Sequence, residues 1–517
     1  MLRKVAQSII RSQRPIAKEL FLCLLSAILL ILSFPPFNLE FLAWFGFVPV
    51  FFALNNKSGR QAFLLFFVTG AIFWAGIIYW LIHVTLAGTI ALVLYLALYF
   101  AVFGLVIRPS TKKSTLYSLI FIPSVWVLLE YIRGLLFTGF PWALLGYSQY
   151  LNLPVIQIAD ITGAWGVSFL VMMVNVAVVE MVWSQAKGVS SKLKKVSILL
   201  VLSLFLVLSY GYFRLSHSPV IDTRNSVRIS VVQGNIPQEL KWSPDAKAGI
   251  LDVYAKFTEQ AGKEKPDLIV WPEASSPGIF GEDDLIPGEI FALGRKTGVP
   301  LLIGVVAVEN ERYFNSALLL GPSGEISGRY NKLHLVPFGE YIPLKKALPF
   351  LETVVPIGDI TPGRDYTIFT LPDVSCPLPL KFSVLICFED LFPQISREFI
   401  KRGAGLLVNI TNDAWYKRTS ASSQHLQASV FRAVENRVFL VRCANTGISG
   451  FIGPGGKIIS KVSDKSGGDI FVGGINTREV AVLNKPLTIY TRYGDFFPAI
   501  CLLFLLYGII QTFKNRR

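Results

Sequence analysis

Residues 85–107 read TLAGTIALVLYLALYFAVFGLVI, a run of 23 positions without a charged side chain. A helix needs about 20 apolar residues to cross the hydrocarbon core of a bilayer. Backbone polar groups in hydrocarbon must pair inside the segment, so this run is expected to be a membrane helix. Arg108, Lys112 and Lys113 follow at once. Outward in both directions the pattern repeats. Apolar runs fall at 19–36, 39–54, 62–83, 85–107, 116–137, 164–184 and 196–213, with an eighth at 495–513. The second is short enough to be re-entrant. No A-x-A-like cleavage site follows the first, which reads as a retained helix rather than a signal peptide.

Composition agrees with that reading. Hydrophobic residues make up 52% of the 517 positions and charged ones 16%, with a mean hydropathy of +0.52, too apolar for a soluble globular protein. Phe is abundant at 39 residues, as expected where rings pack against lipid. The net charge of +15 would suit a nucleic-acid partner only if it formed a face of its own, and it does not. The basic residues cluster before the first run (Arg3, Lys4, Arg11, Arg14, Lys18), between the second and third (Lys57, Arg60), between the fourth and fifth, between the sixth and seventh (Lys187, Lys192, Lys194, Lys195) and after the eighth (Lys514, Arg516, Arg517). Only Glu19 opposes these seventeen, so they carry the whole excess. Such alternation is the positive-inside pattern. It predicts cytoplasmic termini and an outward-facing segment after the seventh helix, with Arg133 as the main exception.

Three regions result: a transmembrane bundle of seven helices over 1–213, a domain over 226–485, and a C-terminal transmembrane helix with a basic tail over 495–517. The linker 214–225 is polar. Beyond it, short β-branched runs recur at 227–233, 267–271, 301–308, 314–320, 382–387, 404–410 and 437–443, with helical patterns at 247–262 and 421–436. Strands alternating with helices predict stacked sheet and helix layers. The five cysteines and four histidines are dispersed without a CxxC pair, so no structural metal site and no cofactor are expected.

Within 226–485 three polar residues stand at or just beyond strand ends: Glu273 closing DLIVWPE, Lys332 in GRYNKLHLVPFGEY, and Cys387 closing FSVLICFED. Side chains at strand ends converge on a crevice in layered α/β folds. A carboxylate can take a thiol proton, the thiolate can attack a carbonyl, and a fixed cation with a backbone N–H can hold the oxyanion. Residue by residue, the same pattern also fits a packing cysteine, a solvated acid and a surface lysine.

WPEA (271–274), YNKLHLVPFGEYIP (330–343) and ICFED (386–390) resemble the three signature regions of the carbon–nitrogen hydrolase (nitrilase) superfamily, extended by QGNIPQELKW (233–242) and NITNDAWY (409–416). The resemblance implies an αββα sandwich with a Glu273–Lys332–Cys387 triad. EYIRGLLFTGFPWALLGYSQ (130–149) is similar to the integral-membrane branch, the apolipoprotein N-acyltransferases. There a phospholipid acyl chain passes to the thiol and then to the α-amino group of a diacylglyceryl-modified N-terminal cysteine. The implied partners are a phospholipid donor such as phosphatidylethanolamine, a diacylglyceryl apolipoprotein and the membrane, with no nucleic acid. The implied location is the bacterial inner membrane with a periplasmic catalytic domain. Glu340 and Glu389 match supporting acids, and Trp242 and Trp415 match substrate-side aromatics. Phe388 stands where the family commonly has Tyr.

Two other readings compete. A membrane-anchored amidase or nitrilase would share the triad and release the acyl group to water. A transporter with a sensor domain would place charges at the middle of its helices, whereas Glu130, Arg133 and Glu180 fall toward the ends. The apolar stretch 335–360, with Leu348, Phe350 and Leu351, is expected either to dip into the outer leaflet or to cover the site.

Overall fold

The computed structural model describes residues 16–107, 115–217, 226–282, 285–341, 360–371, 374, 379–481 and 486–514. Cys376, most of the stretch 335–360 and the basic residues at 3–14, 108–113 and 516–517 lie outside these. The chain divides into two compact units, Met1–His217 with Tyr493–Arg517, and Ser218–Arg492.

The first unit is helical. Its main helices are α1 (Ile16–Leu32), α2 (Val48–Ala53), α3 (Gly59–Ile77), α4 (Leu86–Ile107), α5 (Thr115–Arg133), α6 (Ala164–Lys187) and α7 (Ser190–Ser216), with a C-terminal helix Phe496–Lys514. Among the described residues, α3, α4, α6 and α7 are long and apolar enough to cross a membrane. The run 39–54 is not one helix. It breaks into a 3-10 turn, Glu40–Trp44, and the six-residue α2, each far short of a bilayer's width. Pro49 at the start of α2 cannot donate to a preceding turn, which favours a fresh helix start there. Part of the Phe content packs inside the unit rather than facing outward. Phe47 lies edge-on to Trp126 at 4.8 Å, and Phe100 and Phe103 each meet the same indole at 5.1 Å.

Arg133, the exception to the charge alternation, is only 3% exposed. Its Nη1 donates to the carbonyls of Phe140 (2.8 Å) and Trp142 (2.7 Å), and its guanidinium lies over the Trp74 ring. Glu130 accepts from the backbone N–H of Leu145 at 2.6 Å. The pair therefore organises the GLLFTGFPWALL turn.

The second unit holds two sheets. One runs β13–β1–β2–β4–β5–β6 with β3 on β4; the other runs β12–β11–β10–β9–β8–β7. The strands of the first are β1 (Ser226–Gln233), β2 (Leu268–Val270), β3 (Ile279–Phe280), β4 (Leu301–Glu309), β5 (Arg312–Leu320), β6 (Ile326–Asn331) and β13 (Gly474–Ala481). Those of the second are β7 (Phe369–Leu371), β8 (Leu380–Ile386), β9 (Leu406–Thr411), β10 (Phe439–Ala444), β11 (Gly450–Ile452) and β12 (Ile458–Lys461). β1, β2 and β4 run parallel, as do β8, β9 and β10. The antiparallel strands lie at the flanks.

The sheets face each other through β1 on β10 and β5 on β8. Helices α8 (Lys247–Gly262) and α9 (Leu285–Thr297) accompany the first sheet, and α10 (Pro393–Lys401) and α11 (Ala421–Asn436) the second. β2, β9 and β10 are buried along their whole length, as parallel strands covered on both faces must be. α8 buries Ile250, Leu251, Tyr254, Thr258 and Ala261, one stripe at helical spacing, against Ile269, Trp271 and Leu301. The second unit is thus a carbon–nitrogen-hydrolase-like layering of helices outside two sheets.

Candidate active site

Cys387 follows β8 directly and opens the 3-10 turn Cys387–Leu391. Its φ is +56°, a left-handed conformation that costs a non-glycine residue about 1–3 kcal/mol and must be held by its surroundings. Asn409 holds it. The Asn409 Nδ2 donates to the carbonyls of Leu385 (3.2 Å) and Cys387 (3.0 Å), and its Oδ1 accepts from Arg442 Nη1 at 2.7 Å.

Glu273 follows β2, where Gly304 lets the WPE turn approach β4. A Cβ at 304 would lie 2.2 Å from the Pro272 carbonyl, and the Ser275 N–H donates to the Gly304 carbonyl at 2.7 Å. Each carboxylate oxygen of Glu273 is held: Oε1 accepts from Asn315 Nδ2 (2.8 Å) and Oε2 from the Asn412 N–H (2.9 Å). Asn315 also donates to Glu340 Oε1 at 2.7 Å.

Lys332, one residue past β6, is 1% exposed. Its Nζ lies 2.9 Å from Glu340 Oε2 and 3.5 Å from Glu273 Oε1. Burial opposes its charge, but Glu340, then Glu273 and Cys387, outweigh it and hold the ammonium above the usual lysine range. The Cys387 thiol is pushed well up, chiefly by burial and then by the Glu273 charge, while Lys332 pulls it down. A thiol held up in this way requires a base to ionise it.

Glu389 does not touch Lys332's ammonium; it fastens the backbone on either side. Oε1 accepts from Tyr330 Oη (2.8 Å), the Leu333 N–H (2.7 Å) and the His334 N–H (3.1 Å), and Oε2 from the Ile386 N–H (2.7 Å). The Lys332 segment and the strand end before Cys387 therefore share one carboxylate. Burial pushes that carboxyl up to about 7 against the pull of these donors and Lys332. Phe388 is buried, stacked on Tyr416 and edge-on to His425. Trp242 and Trp415 are half exposed, at 48% and 50%.

Several residues here were not singled out in the sequence. Lys241 is buried, and its Nζ donates to the Glu273 carbonyl at 3.0 Å. Beside Cys387 lies a buried ionic cluster. His425 Nε2 is 2.9 Å from Asp390 Oδ1, its Nδ1 is 3.0 Å from Asp413 Oδ1, and Arg442 reaches Asp390 (3.2 Å) and Asp413 (3.3 Å). Arg442 inside an otherwise apolar strand, and Asn315 inside FNSALLL, were the readable signals, since buried polar groups need partners.

Burial would raise Asp413, but His425 and Arg442 outweigh it and hold it at about 2, below the usual 3.8. A depressed carboxylate stabilises the fold above its unfolded pKa, and that contribution disappears as pH falls through the folded value. Asp413→Asn should therefore destabilise the protein by on the order of 2 kcal/mol above pH ~4. The melting-temperature gap to wild type should close as pH is lowered toward ~2. A gap constant across that range would rule the linkage out.

With the geometry in hand, comparison with known proteins defines the class first: residues 228–482 match the carbon–nitrogen hydrolase family. Residues 26–177 match the apolipoprotein N-acyltransferase N-terminal domain. The chain belongs to the apolipoprotein N-acyltransferase family, and it is an N-acyltransferase of the nitrilase superfamily. It is 40% identical to the apolipoprotein N-acyltransferase of Geobacter metallireducens, over 94% of this chain and 93% of that one. It is 32% identical to that of Methylococcus capsulatus, over 97% of each. An amidase from Nesterenkonia sp. of known structure is 20% identical, covering 51% of this chain and 94% of its own, with a TM-score of 0.37.

Proposed function

We propose that the enzyme moves an acyl chain from a phospholipid to the N-terminal α-amino group of a diacylglyceryl-cysteine lipoprotein, through a thioester on Cys387. The observation that carries this reading is the buried meeting of Lys332 with Glu273 and Glu340 beside a cysteine held at positive φ.

In the first half, Glu273 takes the Cys387 proton and the thiolate attacks the ester carbonyl. The tetrahedral oxyanion is held by Lys332 Nζ and the backbone N–H of Phe388, following the nucleophile. As the carbon–oxygen bond breaks, Glu273 returns the proton to the departing lysophospholipid oxygen. In the second half the acceptor amine attacks the thioester, Glu273 takes a proton from the nitrogen, and the thiolate leaves and is reprotonated. An amide has replaced an ester, with no net proton change. Glu340 anchors Lys332, Glu389 ties its segment to the nucleophile, and Phe388 supports the turn by packing. Trp242 and Trp415 offer aromatic faces to the acyl chains.

Both substrates are lipid-anchored, which fits a catalytic domain carried by a bundle of apolar helices. Residues 1–213 and 495–517 are assigned to the bundle and 226–485 to the periplasmic domain. The basic clusters support cytoplasmic termini in a bacterial inner membrane, and phosphatidylethanolamine is the proposed donor.

The test is the intact mass of detergent-purified protein after incubation with phosphatidylethanolamine. Wild type, but not Cys387→Ala, should gain one hydroxylamine-labile acyl mass that a diacylglyceryl-cysteine peptide discharges and water does not. Loss to water alone would replace this reading with the amidase; no adduct with any phospholipid would remove the thioester from it.

A further inference from the structure

A lysine buried this deeply is rarely tolerated unless paired. Lys241 is 6% exposed, and its hydrogen-bond acceptor is the main-chain carbonyl of Glu273, not a carboxylate. Nor is it free to swing outward. The segment that bears it is pinned where the Asn235 N–H donates to the Asn445 carbonyl, the Ile236 N–H donates to Asn445 Oδ1, and Asn445 Nδ2 donates to the Ile236 carbonyl. Gln238 Oε1 accepts from Asn412 Nδ2 at 2.8 Å, and the Asn412 N–H is the donor that holds Glu273 Oε2. The lysine and the carboxylate are thus fastened to one frame.

We propose that Lys241 is a positioning residue that acts through its charge, keeping the buried Glu273–Lys332–Glu340 site neutral while Cys387 is a thiolate. The proposal rests on Cys387 being the nucleophile. At rest the site holds two carboxylates, two ammonium groups and a thiol. When the thiol proton passes from Sγ to Glu273, the negative charges become Glu340 and the thiolate, and the total is unchanged. With Lys241 uncharged, the site would carry a net negative charge both before and after this transfer, in a medium that screens it poorly, and the thiolate would form against that field. The other titratable groups around the site are Asp413, balanced by Arg442 and His425, the Tyr416 hydroxyl, and, on the Lys332 side, Glu389 and His334. Burial lowers Lys241 to about 8 while Glu273 and Cys387 pull it up, so its charge is present near neutrality and is lost above that range.

The experiment follows iodoacetamide alkylation of Cys387 against pH by peptide mass, on full-length enzyme in detergent, with Cys387→Ala as background. Lys241→Gln can keep the hydrogen bond to the Glu273 carbonyl but carries no charge; Lys241→Arg keeps a charge. In Lys241→Gln the alkylation rate near neutral pH should fall about tenfold and its alkaline midpoint rise by about one unit. Lys241→Arg should stay within about threefold of wild type. A Lys241→Gln profile that overlies wild type, in a protein with wild-type melting temperature, would overturn the charge role and leave only the hydrogen bond. If Lys241→Gln fails to fold, Lys241→Met, assayed without phospholipid so that the Cys387 thiol stays free, serves in its place and is read by the same midpoint. Absence of alkylation at Cys387 in wild type would instead overturn the nucleophile reading.

Discussion

Lys332→Met should slow acylation of Cys387 by phospholipid at least about a thousandfold, the loss expected when an oxyanion donor is removed from a dry site. Two effects combine. The ammonium that would face the oxyanion is gone. In addition, Glu273 and Glu340 remain bridged only by Asn315 Nδ2 at 2.8 and 2.7 Å. Two buried carboxylates then face each other without the cation that lay between them, and Glu273 loses the partner that offsets Glu340. Removing one member of a buried ion pair costs about 3–5 kcal/mol of stability, and melting temperature must be recorded beside the rate. Lys332→Arg separates the two. It keeps the charge, but a planar guanidinium does not present a compact ammonium from a side chain that is 1% exposed. The Arg variant should regain stability and remain slow. Acylation of Lys332→Met within tenfold of wild type would remove Lys332 from the chemistry.

What the sequence revealed follows from what each segment must bury. The pattern at 247–262 and the helix α8 coincide because one apolar stripe suffices to define both. The strands β1, β4, β5, β8, β9 and β10 were readable as dense apolar runs, since each is largely buried. β6, β12 and β13 were not, because half-exposed strands carry mixed residues. Helix α9 was hidden for a related reason: Gly288 and Pro287 interrupt its pattern near the start. The run 39–54 reads as one apolar stretch, because hydropathy does not report the break at 45–47 between the 3-10 turn and α2. At the site, Glu273 and Cys387 stand out because each closes an apolar strand, whereas Lys332 follows the mixed strand β6 and stands out only within the segment GRYNKLHLVPFGEY. Lys241 does not. Its partner is a backbone carbonyl 32 residues away, and a lysine four residues after a proline looks like surface until the fold encloses it. The Asn409–Arg442 support for Cys387 depends on β8, β9 and β10 lying side by side, which no local pattern contains.

Glu389→Gln is the second large effect, and it separates two explanations for an acid beside Cys387. If Glu389 acted through charge alone, Gln would impair the enzyme by a loss of field at Lys332. The hydrogen bonds imply a different failure. Oε1 takes three donors from the Lys332 segment and Oε2 takes one from the strand end before Cys387. An amide has one acceptor oxygen, so its NH2 faces a donor in either orientation. With the NH2 toward Ile386, that N–H is orphaned; turned the other way, the Leu333 and His334 N–H groups are, while the Tyr330 hydroxyl can turn to accept. Each buried orphan costs about 1–3 kcal/mol, and the segment bearing Lys332 loses its tie to the turn bearing Cys387. Misplacement of about 1 Å between such groups costs on the order of a hundredfold in rate. Glu389→Gln should therefore lower both melting temperature and the acylation rate by about a hundredfold, while Glu389→Asp, which keeps two acceptors on a shorter arm, should retain more of each. Iodoacetamide reactivity of Cys387 distinguishes the causes. A spacing defect leaves the thiol's alkaline midpoint close to wild type, whereas a field defect moves it, and a shifted midpoint with full stability would reject the staple in favour of charge.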